Sequence, residues 1–185
     1  MREGTTKRRW IHDADREAGM FELKKLTPEG IERALKKVER YRLLNEPWEA
    51  ESICRDVLAA DPGNHEALIA LILSLTDQFG ADRGPTLEEV RELIEHLEEE
   101  YAREYYEGII CERKGTCLIK RGTLGAGPLI YDWLRKAMAH YERAEALRPS
   151  GNDDALVRWN SCARLIERHE HIRAAVNEPR VTLLE

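Results

Sequence analysis

One phrase is written twice in this chain, and repetition of a packing phrase restricts the fold to those built by stacking like units. Residues 50–68 read AESICRDVLAADPGNHEAL, and residues 137–156 read AMAHYERAEALRPSGNDDAL. Ala50, Cys54, Val57 and Pro62 align without a gap on Ala137, Tyr141, Ala144 and Pro149. Each set places apolar residues at offsets of four and three, on one face of a helix, and then a proline that cannot continue that helix. Both copies pass through a Gly/Asn turn into an Ala-Leu pair, Ala67-Leu68 and Ala155-Leu156. Asn64 and Asn152 are therefore expected to cap the helices that follow.

On these residues the second copy resembles the tetratricopeptide (TPR) repeat, an antiparallel helix pair of ~34 residues. The second helix of that repeat carries Ala, an aromatic, Ala and Pro at the spacing of Ala137, Tyr141, Ala144 and Pro149. The first copy departs from the pattern with Cys54 for the aromatic and Val57 for the second Ala. The prolines lie 149 − 62 = 87 residues apart. That separation is two ~34-residue periods and about 19 more, which implies an intervening repeat with insertions. The resemblance implies an all-α fold, a right-handed superhelical stack of antiparallel helix pairs, with about three repeats and a C-terminal capping helix.

The helices can be traced from pattern. Thr27-Pro28 places a cap and a first-turn proline before IERALKKVERYRLL. NHEALIALILSLTDQF at 64–79 forms the first helix of the middle repeat. Thr86 and Glu89 have capping-box spacing before the second, in which Val90, Ile94 and Leu97 repeat the four-then-three offsets. Another helix is expected from about Ala102 through Tyr105, Tyr106, Gly108, Ile109 and Ile110, then a glycine-bearing loop over 114–128. DDALVRWNSCARLIERHEHIRAA closes the stack. The organisation predicted is a flexible or loosely packed segment at 1–26, a repeat domain at 27–175 and a tail at 176–185. No window alternates apolar and polar residues as a strand would, and no run reaches the ~18 apolar residues of a membrane span. The first nineteen residues lack an apolar core behind their basic residues, which argues against a secretory signal. Four cysteines in such a chain read as buried thiols of a cytoplasmic protein.

Local spacing offers no catalytic chemistry. Neither a His-Glu-x-x-His nor a Glu-x-x-His motif is present, and Cys111-x5-Cys117 has poor zinc spacing. His169 and His171 would diverge if they lay on a helix. Gly122–Gly127 (GTLGAG) lacks the Gly-Lys-Ser/Thr ending of a phosphate-binding loop. No nucleophile motif stands out. No enzyme activity, no cofactor and no metal are expected. Lys7-Arg8-Arg9-Trp10 could grip and stack on nucleic acid, but a net charge of −6 opposes it. The acidic run Glu98–Glu100 reads as a solvated helix face.

Binding is what remains. In the TPR family the first helix of each pair lines a concave groove that receives a peptide or helix of a partner protein, so the resemblance implies a protein-interaction module. Groove-facing candidates are Glu32, Leu35, Glu39 and Arg42, then Glu66, Ile69, Leu73, Thr76 and Asp77, with Tyr105 and Tyr106 further on. The partner-binding set is Glu39, Arg42, Ile69, Leu73, Tyr105 and Tyr106. Leu35, Glu39 and Ala70 stand where the chaperone-binding members of the family carry their carboxylate clamp, so a mixed apolar and polar ligand is expected instead. Helix 64–79 is apolar almost all round, and Ile69 and Leu73 therefore require a cover. The candidates are the segment holding Trp10 and Phe21, the 114–130 insertion, a second copy in a homo-oligomer, or a partner.

Overall fold

The computed structural model describes residues 21–175, and every regular element among them is helical. After a 3-10 turn at Pro28–Gly30 come α1 (Ile31–Leu43), α2 (Pro47–Ala60), α3 (His65–Asp77) and α4 (Leu87–Ile94). Then follow α5 (Glu100–Arg121), α6 (Gly127–Leu147) and α7 (Asp154–Arg168). The helices form two compact units, one ending at Leu97 and one beginning at Glu98. The readings of Lys7–Trp10 and of the 176–185 tail fall outside the described residues. No helix among those described is long and apolar enough to cross a membrane.

The repeated phrase does the same work in both units. Ala50, Cys54 and Val57 are at 0% exposure on α2, and so are Ala137, Tyr141 and Ala144 on α6. Both helices end two residues before their proline, at Ala60 and Leu147. The pre-proline residues Asp61 (ψ 86°) and Arg148 (ψ 143°) have left the helical region. A following proline crowds its predecessor out of that region, which is why the two helices stop at equivalent places.

In the first unit α2 packs on both α1 and α3. The α1–α2 connection is short because Asn45 takes a left-handed conformation (φ 60°), which asparagine tolerates better than most residues. The helices α1 and α3 begin 65 − 31 = 34 residues apart. They are tied at their C-terminal ends by Arg42 Nε donating to Asp77 Oδ2 at 2.9 Å, so they run in the same direction. Asn64 caps α3 as expected, its side chain accepting from the Ala67 N–H at 2.9 Å. Thr86 and Glu89 form both halves of the capping box at α4. Val90, Ile94 and Leu97 are all buried, although α4 ends at Ile94 and Leu97 packs from the turn beyond it. Thr27 makes no side-chain cap; Pro28 opens the 3-10 turn instead, and α1 starts three residues later.

The second unit corrects the expected 114–128 loop. Residues 114–121 continue α5, and only 122–126 connect it to α6. Gly115 is buried on the helix, where a Cβ would lie 3.2 Å from the Leu134 side chain. One heptad earlier, a Cβ on Gly108 would run into the ring of Tyr141. These glycines are contact points rather than loop formers, and the pairs 108/141 and 115/134 make α5 and α6 antiparallel. The helix stops at Gly122, which takes the left-handed C-cap conformation (φ 61°). Asn152 does not occupy the N-cap of α7, a place held by Asp153. Its Oδ1 accepts from the Asp154 N–H at 3.0 Å and from the Tyr101 hydroxyl at 3.1 Å, which fastens the turn to α5. Helix α7 packs on α6 and buries Ala155 and Cys162.

Candidate functional site

In the first unit, α1 and α3 leave a groove between them of about 360 Å3. Its apolar lining comes from the half-buried Leu35, Ile69, Ala70 and Leu73 and the buried Val38. Helix α3 explains how. Ala67, Leu68, Leu71, Ile72 and Leu75 go into the core, while Ile69 and Leu73, one turn apart, remain on the opposite face. A helix that is apolar nearly all round therefore has one side in the core and one side in the groove.

Charge surrounds that lining. Glu32, Lys36, Glu39, Arg42 and Glu66 complete it. Lys36 pairs with Glu32 at 2.7 Å and Arg42 with Asp77 at 2.9 Å. The exposed Glu39 and Glu66 have no ion pair among those described, so the rim carries net negative charge. Thr76 does not face the groove. It is buried, and its hydroxyl donates to the Leu73 carbonyl at 2.9 Å. Phe21 is 80% exposed and so buries itself against nothing in the unit.

A larger hollow of about 470 Å3 lies where the 80–85 loop meets α2, α3 and α4, and it differs in chemistry. Its central carboxylate, Glu51, already accepts from Gln78 Nε2 at 2.6 Å and pairs with Arg55 at 2.7 Å. Glu51 bonds to both Arg55 and Gln78 there, whereas the groove between α1 and α3 has an apolar floor suited to a partner's apolar side chains.

Tyr105 and Tyr106 belong to α5 in the second unit, half-buried rather than open. Tyr105 stacks on Tyr101 with centroids 5.9 Å apart and meets the edge of Tyr106 at 5.2 Å. Nearby, the buried Tyr141 hydroxyl donates to Glu112 Oε2 at 2.6 Å, and Arg158 Nη1 reaches Glu112 Oε1 at 3.1 Å. Burial, reinforced by the Glu112 carboxylate, pushes the Tyr141 hydroxyl far above the usual tyrosine range. The network joins α5, α6 and α7 and gives Tyr141 a polar anchor that its place in the repeated phrase did not reveal. Glu112 and Arg158 fall in no local motif, so only the fold shows them.

The thiols are all free. Burial pushes Cys54 and Cys162 up to about 12, the behaviour of inert core thiols. Cys111 is buried and Cys117 half-buried. His169 and His171 lie beyond the end of α7, and their rings meet edge to face at 5.5 Å, so the helical argument for their divergence does not apply. Glu98, Glu99 and Glu100 are exposed, but only Glu100 is helical; the run precedes and opens α5, where acidic residues favour the helix dipole. One grouping was invisible to local spacing. Glu107 and Cys111 on α5 and His140 on α6 bring their donor atoms within 4.8 Å of one another.

No family model, curated protein or solved structure matches this chain.

Proposed function

We propose that this protein is an interaction module whose groove between α1 and α3 holds a short segment of a partner protein, and that its helix pairs are TPR-like repeats of a right-handed stack. The observation that carries this reading is the groove itself. Half-buried Leu35, Ile69, Ala70 and Leu73 form an apolar lining under the acidic Glu39 and Glu66. The 34-residue offset between α1 and α3 and the matching burial of the two signature sets support the repeat assignment. A partner suited to this surface is an extended or helical segment with two or three apolar anchors flanked by Lys or Arg. Such a contact buries less than roughly 1,200 Å2, and the complex is accordingly transient. The four free thiols fit a reducing compartment, and the module belongs in the cytosol.

A second reading, self-association, is favoured by Leu43, Leu44 and Trp48, which stand exposed around the α1–α2 turn. Panning the full chain against a displayed random-peptide library separates the two. The module reading expects enriched peptides with apolar and basic residues, whose binding weakens when salt is added. A library that enriches nothing, with light scattering showing a dimer, would favour self-association.

A further inference from the structure

The strongest unassigned grouping is the trio on the α5–α6 face. Glu107 and Cys111 stand one turn apart on α5, and His140 reaches them from the antiparallel α6. Their donor atoms, a carboxylate oxygen, a thiol sulfur and an imidazole nitrogen, lie within 4.8 Å of one another. In a tetrahedral zinc site, bonds of about 2.0–2.3 Å place neighbouring ligand atoms about 3.3–3.8 Å apart. The trio is thus within about 1.0–1.5 Å of that arrangement, a distance that side-chain torsions cover.

The surroundings of His140 point the same way. Its Nδ1 lies 2.8 Å from Glu104 Oε2, and the same carboxylate oxygen accepts from Arg143 Nε at 2.9 Å. Arg143 Nη2 also lies 2.7 Å from Nδ1. In the tautomer whose Nδ1–H donates to Glu104, rather than the one whose bare Nδ1 accepts from Arg143, the carboxylate fixes the ring and leaves Nε2 as the ligand atom, the usual support of a metal-bound histidine. Glu104 also holds Arg143, and its negative charge offsets that cation. Cys111 sits at the buried end of the trio, while Glu107 and His140 are half-buried and leave a way in.

We infer that Glu107, Cys111 and His140 form a site for a divalent transition metal, with Zn2+ the ion best suited to one sulfur, one nitrogen and one oxygen donor. Glu104 is its positioning residue. Binding converts the Cys111 thiol to a thiolate and releases its proton to solvent, so affinity rises with pH. Three protein ligands leave a fourth position for water or for a donor from a partner. The site goes against the expectation, drawn from local spacing, of a chain without metal. The fold supplies His140 from 29 residues beyond Cys111 (140 − 111), a distance no short motif spans.

Cobalt(II) titration of the full chain tests this, because a cobalt–thiolate bond gives a charge-transfer band that a carboxylate or imidazole alone does not. The expected result is one equivalent bound with that band, displaced by Zn2+. Cys111→Ser should abolish the band, whereas Cys117→Ser and Cys162→Ser should keep it. Glu104→Gln should weaken binding by about 10–100-fold with the band retained. Glu107→Gln and His140→Gln, both at half-buried positions, decide the matter if Cys111→Ser fails to fold by circular dichroism; each should weaken binding at least tenfold. Absence of a thiolate band in the wild type would overturn the assignment. So would a band that survives Cys111→Ser, or unchanged affinity in both Glu107→Gln and His140→Gln.

Discussion

Gly108→Ala sets two effects of known size against each other. Alanine in place of glycine within a helix favours folding by about 0.8–1.0 kcal/mol. At Gly108 the added Cβ would lie inside contact distance of three ring carbons of Tyr141. That ring cannot slide away easily. It is at 0% exposure, and its hydroxyl is held by Glu112 at 2.6 Å, with Arg158 behind the carboxylate. Overpacking a well-filled contact costs about 1–3 kcal/mol, and a fixed ring puts this site at or above the upper end. The net expectation is a loss of about 2 kcal/mol. Gly115→Ala is the matched comparison. Its Cβ would meet the Leu134 side chain at 3.2 Å, an aliphatic group able to shift by a few tenths of an ångström. There the helix gain and the packing cost should cancel to within about 1 kcal/mol. Urea unfolding followed by far-ultraviolet circular dichroism measures both. If Gly108→Ala proved as stable as the wild type, or less perturbed than Gly115→Ala, the tight approach of α5 to Tyr141 would be wrong.

Further expectations concern packing, pH and salt. Ala137→Leu, at a fully buried signature position, should cost about 1–3 kcal/mol in the same assay, and Ala139→Leu, which is half-buried, should cost less. Stability should fall as pH rises above the ordinary thiol value of 9.0 toward about 12, because Cys54 and Cys162 ionise in the unfolded chain before they can in the folded one. Tyr141, also raised by burial, acts with the same sign, so a flat alkaline profile would contradict the burial of all three. A basic peptide selected by the groove should lose affinity when Glu39 or Glu66 is changed to Lys, and no such loss would remove charge from the account of recognition.

Much of this fold was legible because its signals are local. The offsets in Ala50/Cys54/Val57 and Ala137/Tyr141/Ala144 report a buried helix face, and all six side chains are buried. Thr86 with Glu89, and Asn64 before α3, report helix starts through hydrogen bonds between near neighbours. What misled was glycine. Gly115 and Gly122 look alike in sequence, yet one is kept small by Leu134 across a helix interface and the other by a left-handed C-cap. Only the partner helix distinguishes them. The groove was half legible. Ile69 and Leu73 stand out as excess apolar residues on α3, but the balance of charge at the rim depends on Arg42 finding Asp77, 35 residues away. Likewise Thr76 looks outward by counting but is buried, its hydroxyl satisfied by the Leu73 carbonyl of its own helix.

The most direct test of the central claim changes one groove residue. Wild type and Leu73→Glu, each immobilised as the full chain, are exposed in parallel to lysate of the native host, with Leu124→Glu, at a fully exposed loop position of the second unit, as the control. The account predicts proteins captured by wild type and by the control, lost from Leu73→Glu, with the helical circular dichroism of all three alike. Equal capture by all three, or unfolding of Leu73→Glu because Leu73 belongs to the core, would contradict it.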